Sequence, residues 1–273
     1  MRPPVPARWA PYLEANRRRW DEMVALNAAS REYDLEGVKR GRVRLSLLER
    51  REVGSVRGKS LLHLQCHFGI DTMCWSRLGA RATGVDFSPA AIRLARELSR
   101  DLGLDTRFVL SDVYGLPRVL HARLDVVYTS MGVLSWLPDL RRWGRVVGHF
   151  LKRGGVFYLL DSHPVSHVFS DEPNAEGLEF AAPYFPSGRP ERFVPGWSKA
   201  PRKQRVQYNW QHTVEDILDS LSDAGLRIEF VHEFPYTFWK AFPFMRRGRD
   251  GWWRLTRGHG RVPLMMSVRA SKP

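Results

Sequence analysis

The stretch SLLHLQCHFGIDTMCWSRLGARATGVD, residues 60–86, determines the fold class of this chain. Its apolar run Leu61–Cys66 has the length of a buried strand, and a tight loop follows it. From Ile70 onward, apolar residues recur at helical spacing, and a second short strand, Ala82–Val85, leads directly to Asp86. The stretch therefore predicts a strand–helix–strand unit with a carboxylate at the end of its second strand.

The position of that carboxylate predicts a nucleoside-binding crevice. Asp86 follows Gly69 by 17 residues, close to the about 20 residues typical when an acidic side chain binds a ribose beside a glycine-bearing first loop. The loop also places backbone N–H groups at a helix N-terminus, which favours an anionic group nearby. We therefore expect Asp86 to accept hydrogen bonds from the 2′- and 3′-hydroxyls of a ribose.

The alternation of strand and helix continues to about residue 161 and predicts a parallel sheet covered by helices on both faces. Ser88 and Pro89 are typical of a helix start. The further predicted elements are strands Arg107–Ser111, Leu124–Thr129 and Val156–Leu160, and a helix from Asp139 to about Lys152 with Gly154 and Gly155 after its end.

The remainder of the chain divides into three further parts. Residues 1–57 have helical patterns and predict an N-terminal helical cap, while 58–273 form the main domain. From about 162 to 206 the chain is rich in Pro, Gly and aromatic residues, which predicts a lid insertion. The last elements are a helix capped by Thr213 with Asp216, and an antiparallel edge pair of strands, Ile228–Phe234 and Leu264–Val268.

The segments LLHLQCHFG, TGVDFS, FVLSD, LDVVYTS and LKRGGVFYLLD, in this order and spacing, resemble the class I S-adenosylmethionine-dependent methyltransferases. The resemblance implies an α/β fold: a doubly wound, Rossmann-like, seven-stranded sheet, mostly parallel with an antiparallel edge strand. The first loop of that family usually follows the pattern DxGxGxG. Here the matching residues are His63, Gln65, His67 and Gly69, so only the last glycine remains.

The resemblance also implies a cofactor, S-adenosylmethionine, with S-adenosylhomocysteine as the product. Asp112 would accept a hydrogen bond from the exocyclic amine of adenine, or alternatively begin a turn, and the Val113 N–H would face a ring nitrogen. Trp20 and Tyr33 would cover the cofactor, or only dock the N-terminal helices. The predicted cofactor-binding residues are Gln65, His67, Phe68, Gly69, Asp86, Phe87, Asp112, Val113 and Ser130.

Methyl transfer is an in-line displacement, and a hydroxyl or amine acceptor also has to lose a proton. His163, just past the fifth strand, is the predicted general base, although it could instead hold the loop through hydrogen bonds. His167 and His212 are predicted substrate or lid residues. A metal site is not expected, because strand alternation directs His63 away from Cys66.

The charge of the chain leaves two acceptor classes open. The formal net charge is +14, which suits an anionic partner such as tRNA or rRNA, but the arginines are mostly dispersed along the chain. No NPPY-like tetrapeptide follows the fourth strand, which disfavours methylation of an exocyclic base amine. We therefore expect a small-molecule acceptor, with an RNA methyltransferase or a non-catalytic protein that binds S-adenosylmethionine as alternatives.

Cysteine content and hydropathy predict where the chain resides. The two cysteines, Cys66 and Cys74, both lie in the strand–helix–strand unit of residues 60–86, and we expect them to be reduced, buried thiols. No apolar run approaches the about 20 residues of a membrane span, and the first residues lack the apolar region of a secretory signal. The sequence thus predicts a cytoplasmic protein without a membrane span, and leaves a homodimer open.

Overall fold

The computed structural model describes residues 7–31, 33–194 and 206–273. The helices in these ranges are α1 (Ala10–Ala28), α2 (Leu35–Lys39), α3 (Leu47–Val53), α4 (Ile70–Arg77), α5 (Pro89–Asp101), α6 (Leu140–Phe150) and α7 (Val214–Ser222). The strands are β1 (Ser60–Leu64), β2 (Arg81–Asp86), β3 (Arg107–Leu110), β4 (Leu124–Ser130), β5 (Leu151–Ser162), β6 (Glu191–Phe193), β7 (Gln207–Asn209), β8 (Arg227–Phe234), β9 (Met245–Arg247), β10 (Trp253–Leu255) and β11 (Met265–Ser271). None of these helices has both the length and the apolar character that crossing a bilayer requires.

Within the described ranges, the main sheet has seven strands in the order β3-β2-β1-β4-β5-β11-β8. The first five strands are parallel, whereas β11 runs antiparallel to both β5 and β8. The Rossmann-like architecture and the antiparallel pair at one edge are therefore confirmed. In an open sheet of this kind, ligands bind beyond the carboxyl ends of the parallel strands.

Each face of the sheet carries its own apolar core. On one face α4 and α5 pack through Met73, Trp75 and Ile92, and on the other α6 packs through Trp143 and Phe150. All five side chains are essentially buried, and burying a side chain of this size stabilises the fold by about 1.5–3 kcal/mol. The boundary predicted between an N-terminal cap and a main domain at residues 57 and 58 stays a prediction.

The predicted helix starts are present. The Ser88 hydroxyl accepts a hydrogen bond from the Ala91 N–H at the start of α5, and Pro89 occupies the first helical position. Thr213 and Asp216 form a reciprocal capping box at the start of α7. Such caps satisfy N–H groups that have no partner within the helix, each contributing about 1 kcal/mol.

One predicted boundary is wrong. The helix expected to reach Lys152 ends at Phe150, and Gly154 and Gly155 lie within β5 instead of capping the helix. The Gly154 N–H donates to the carbonyl of Lys272, which follows β11. Long-range strand pairing therefore outweighs the local signal of a helix end.

Helices α6 and α7 approach each other closely at Gly144. A Cβ atom at this position would lie 1.9 Å from the carbonyl oxygen of Ser220, a backbone atom of α7. We therefore expect Gly144→Ala to lower the free energy of unfolding by about 1–3 kcal/mol, although helix propensity alone favours alanine by about 1 kcal/mol. Thermal unfolding monitored by circular dichroism measures the effect.

Arg145→Ala is the matched control for that variant, because Arg145 is exposed on the same helix. Its effect should stay within about 0.5 kcal/mol. A Gly144→Ala protein that melts at the same or a higher temperature than the wild type would show that the two helices have room to separate.

Candidate functional site

The loop after β1 retains the backbone of a glycine-rich loop with only one of its three glycines. Gln65, His67 and Gly69 have φ values of 56°, 52° and 77°. These are the three positions at which the family pattern has glycine. A left-handed conformation costs a residue with a Cβ atom roughly 1–2 kcal/mol, so the chain maintains this shape at a cost in stability.

Within this loop, packing requires glycine at Gly69. A Cβ atom at Gly69 would lie 2.3 Å from Cε1 of Phe108 on β3. Close approach of helix and strand is the role that the third glycine plays in nucleotide-binding loops. The same restriction does not apply at Gln65 and His67, whose side chains are accommodated.

Asp86 connects this loop to the end of β2. Its Oδ2 accepts the His67 N–H at 2.8 Å and its Oδ1 accepts the Ser88 N–H at 2.9 Å. Only 7% of the residue is exposed, and burial raises the pKa of the carboxyl to about 6, against the lowering effect of these N–H donors. The Phe87 N–H also contributes to holding this carboxyl, and because a carboxylate has about four acceptor sites in all, Asp86 retains acceptor capacity for a ligand.

The side chains that replace glycine lie against the carboxyl ends of β1 and β4. Gln65 Nε2 donates to the carbonyl of Val133, beyond the end of β4, at 3.0 Å. Among the described residues, neither Gln65 Oε1 nor the two ring nitrogens of His67 have a hydrogen-bond partner, although all three atoms are buried. Burial lowers the pKa of His67 to about 3, so its imidazole is neutral at physiological pH.

Aromatic rings cover this loop. The ring of His67 lies with its centroid 5.1 Å from that of Trp20, 5.5 Å from that of Tyr33 and 4.4 Å from that of Phe68. Trp20 also meets Trp136 edge to face at 5.2 Å. Trp20, Tyr33, His67 and Phe68 were each predicted to contact the cofactor, and in the structure their rings form one cluster. Trp136, which also belongs to the cluster, was not predicted.

Two polar anchors hold α1 above the strand ends, and neither was predicted. Asp21 Oδ1 accepts from the Ser88 hydroxyl at 2.5 Å and from the Ala90 N–H at 3.1 Å. The buried amide of Asn16 exchanges two hydrogen bonds with the backbone of Tyr208, at 2.7 and 2.8 Å. Asp21 and Asn16 are one turn or more apart on α1, so the helix is fixed to α5 at one point and to β7 at the other.

The remaining predicted cofactor residues lie along the same edge of the sheet. Phe87 follows Asp86 and is half-buried, and Val113 is buried beyond the end of β3. Asp112 is exposed, and its Oδ1 accepts the Gly115 N–H at 2.8 Å, as in a turn. Ser130 ends β4.

His63 takes the place of the acidic residue in the family pattern. Its Nδ1 lies 2.9 Å from Thr72 Oγ1 and its Nε2 lies 3.2 Å from Ser130 Oγ. Burial lowers its pKa to about 3, so it is a neutral donor and acceptor beneath the loop. Cys66 is a free, buried thiol nearby.

A buried carboxylate shapes the loop after β4. Asp161 accepts backbone N–H groups from Gly132, Val133, Leu134 and Ser162. Burial raises its pKa, and these four donors oppose that rise. These contacts of Asp161 organise the backbone at the junction of β4 and β5.

A small cavity of about 20 Å³ lies beside Asp161. Its walls include His167, Trp210 and His212, and His212 Nε2 is 2.8 Å from the carbonyl oxygen of Leu137. A neutral His212 therefore carries its proton on Nε2. His167 and His212, which are far apart in the sequence, therefore line the same cavity.

His163 is buried at the end of β5 and uses both ring nitrogens. Nδ1 accepts the Val165 N–H at 3.1 Å, and Nε2 lies 2.8 Å from Glu233 Oε1 on β8. Burial lowers the pKa of His163, and the charge of Glu233 opposes this. These contacts fix the segment after β5, and the role of His163 as general base stays a prediction.

The chain is similar to known proteins both in sequence and in structure. Residues 61–155 match a family model described as a methyltransferase domain. The chain is 30% identical over 140 residues to the ubiquinone biosynthesis O-methyltransferase of Nitrosococcus oceani, covering 50% of this chain and 57% of that protein. The corresponding protein of Serratia proteamaculans is 30% identical over 135 residues, covering 48% and 56%.

The aligned region spans about half the length of these curated relatives. Among solved structures, a putative S-adenosylmethionine-dependent methyltransferase from Listeria monocytogenes superposes with a TM-score of 0.59 at 15% identity, covering 83% of this chain and 97% of that one. One from Mesorhizobium loti has a TM-score of 0.53 at 21% identity, covering 86% and 100%. Both likenesses concern the fold. Residues 61–155 are therefore similar to a methyltransferase domain, and the fold of the described residues is similar to that of the two superposed methyltransferase structures.

Proposed function

We propose that this chain transfers a methyl group from S-adenosylmethionine to a small-molecule acceptor. The observation that carries the proposal is the carboxylate of Asp86, held at the end of β2 beside a left-handed loop. A carboxylate in this position suits the two hydroxyls of a ribose. The names of the curated relatives support an oxygen atom as acceptor.

The residues at the strand ends fit the cofactor. Asp86 retains acceptor capacity beyond its backbone N–H donors His67, Phe87 and Ser88. The buried atoms of Gln65 and His67 that have no partner among the described residues are polar groups of the kind that a polar ligand would satisfy. Exposed Asp112 keeps its second carboxylate oxygen for the adenine amine.

S-Adenosylmethionine supplies an already activated methyl group when it is bound. The chain therefore has to bind, orient and shield, and alignment alone can contribute several kcal/mol to the barrier reduction. Asp86 would hold the ribose, while α1, through Trp20, would exclude water from the strand ends. The acceptor would enter beside Asp161, where His167 and His212 line the cavity.

Proton removal from the acceptor is assigned to His163, as the sequence predicts. If its Nε2–H faces Glu233, the basic atom is Nδ1, which now accepts the Val165 N–H. An acceptor hydroxyl would have to replace that N–H before giving up its proton. His163 is thus proposed as a base whose orientation is set by Glu233.

A turnover assay tests the function directly. The protein is incubated with S-adenosylmethionine and either a panel of phenols, carboxylates and amines or total tRNA and rRNA, and release of S-adenosylhomocysteine is measured. We expect turnover with a small hydroxyl-bearing acceptor. Turnover with RNA alone would contradict the small-molecule assignment, and binding without turnover on every acceptor would contradict catalysis.

Replacement of Asp86 tests cofactor binding. Asp86→Asn keeps the size of the side chain but removes one acceptor oxygen, so we expect the affinity for S-adenosylhomocysteine to weaken by about 1–3 kcal/mol. Asp105→Asn is the control, because Asp105 is exposed just before β3, at the opposite end of the sheet. Calorimetry measures both. An unchanged affinity in Asp86→Asn would remove Asp86 from the site.

The pH dependence of binding follows from the same carboxyl. With the pKa of Asp86 raised to about 6, the ionised form that accepts two ribose hydroxyls is complete above that pH and is lost below it. Affinity should therefore be constant from pH 7 to 8 and decrease as the pH falls through 6 towards 5. Calorimetric titrations across this range should show the decrease in the wild type and none in Asp86→Asn; a decrease of equal size in both would assign it to another group.

A further inference from the structure

On the basis of the proposed function, we infer that Gln65 is a positioning residue whose side chain couples the loop after β1 to the cavity proposed for the acceptor. The coupling runs through residues 131–137, the segment that follows β4, which we call the β4 loop. In the family pattern the position of Gln65 is a glycine, which has no side chain and could make no such connection. The connection therefore belongs to this chain and not to the pattern it resembles.

The amide of Gln65 joins two neighbouring strand ends. Its Nε2 donates to the carbonyl of Val133 at 3.0 Å, and its Oε1 is buried without a partner among the described residues. The strands that lead to these two residues, β1 and β4, are paired in the sheet. The hydrogen bond to Val133 is thus the described contact through which this side chain acts on another part of the chain.

The backbone of Gln65 indicates that the side chain has a purpose. Its φ value of 56° lies in the left-handed region, which glycine adopts without strain and other residues do not. Strained residues of this kind persist where the surrounding structure or the function requires them. A glycine would remove the strain, but it would also remove the bond to Val133.

The β4 loop in turn holds the residues that follow β7. The carbonyl of Ser135 accepts the Trp210 N–H at 2.8 Å, and the carbonyl of Leu137 lies 2.8 Å from His212 Nε2. Leu134 and Ser135 from the loop line the small cavity beside Asp161 together with Trp210 and His212. The position of the β4 loop therefore determines the shape of this cavity.

A ligand at Asp86 would act on Gln65 through the backbone that the two residues share. Asp86 accepts the N–H of His67, two residues beyond Gln65, at 2.8 Å. A ribose bound by this carboxylate would restrict it and, with it, the loop after β1. Because the amide of Gln65 is bonded to Val133, the restriction would extend to the β4 loop. Two sites joined in this way bind their ligands with mutual dependence.

Hydrogen–deuterium exchange with and without saturating S-adenosylhomocysteine tests the coupling. The reporter is the Trp210 N–H, because its bond to the β4 loop must open before it can exchange. Gln65→Met keeps the length of the side chain and removes its donor. Gln65→Gly removes the side chain and suits the left-handed backbone, so it should fold, which its melting temperature confirms.

Gln211→Met is the matched control. The amide of Gln211 donates to the carbonyls of Pro164 and Tyr184, which lie outside the β4 loop, at 3.2 and 3.3 Å. Its loss should loosen the residues after β7 without touching the connection made by Gln65. A merely structural effect changes exchange alike in the free and the liganded protein, whereas loss of coupling removes the difference between them.

We expect S-adenosylhomocysteine to slow exchange at Trp210 at least tenfold in the wild type and less than twofold in both Gln65 variants. Gln211→Met should exchange faster than the wild type in both states and keep the tenfold response. This pattern would assign the response to the bond between Gln65 and Val133.

A tenfold response retained in Gln65→Met and Gln65→Gly would overturn the inference. So would a response that is also lost in Gln211→Met, or one that is absent from a wild type that binds S-adenosylhomocysteine. Loss of binding in both Gln65 variants at unchanged melting temperature would make Gln65 a cofactor-binding residue and overturn the inference as well. Failure of the wild type to bind S-adenosylhomocysteine would instead contradict the proposed function, and the inference with it.

Discussion

The carboxylate of Asp86 is the contact on which the site depends. It accepts N–H groups from His67 and Ser88 and so joins the first loop, the end of β2 and the start of α5. The Ser88 hydroxyl in turn donates a hydrogen bond to Asp21 of α1. Burial makes this charge costly and raises the pKa of the carboxyl. Further donors from a ligand would offset that cost, which is why a structural junction of this kind also suits a ribose.

The N-terminal helices are attached through buried polar contacts as much as through apolar packing. In α3, Glu49 bonds the hydroxyl of Tyr128 on β4, and Glu52 accepts from Tyr158 on β5 at 2.8 Å. The two glutamates are three residues apart, hence on one helix face, and the two tyrosines are paired in register on neighbouring strands. Two residues on one face of α3 therefore meet two side chains that lie next to each other on the sheet. Helix α3 is thereby tied directly to the sheet.

Local patterns predicted most of the fold and part of the site. Asp86 and the Ser88 cap could be recognised because strand ends and helix starts have short-range signals. The end of α6 could not, because Gly154 pairs with residues near the C-terminus. Asp21 and Asn16 were missed for the same reason: their partners are 67 and 192 residues away. The one sequence signal that could have indicated an anchor was the asparagine Asn16 on a helical face that it shares with Trp9, Leu13 and Trp20.

In the loop after β1, two glycines of the family pattern are replaced by other residues while the backbone conformation is kept. Gly69 remains because Phe108 leaves no room for a side chain, whereas Gln65 and His67 adopt the left-handed backbone of the residues they replace. The sequence of this loop therefore matches the family pattern poorly, whereas its backbone has the left-handed conformation that the pattern's glycines favour.

A crystal structure of the protein with S-adenosylhomocysteine tests the central claim most directly. The account predicts both ribose hydroxyls within hydrogen-bond distance of the Asp86 carboxylate, and the purine beside Asp112. A nucleoside bound elsewhere, with Asp86 still contacting only the backbone of its own chain, would contradict it.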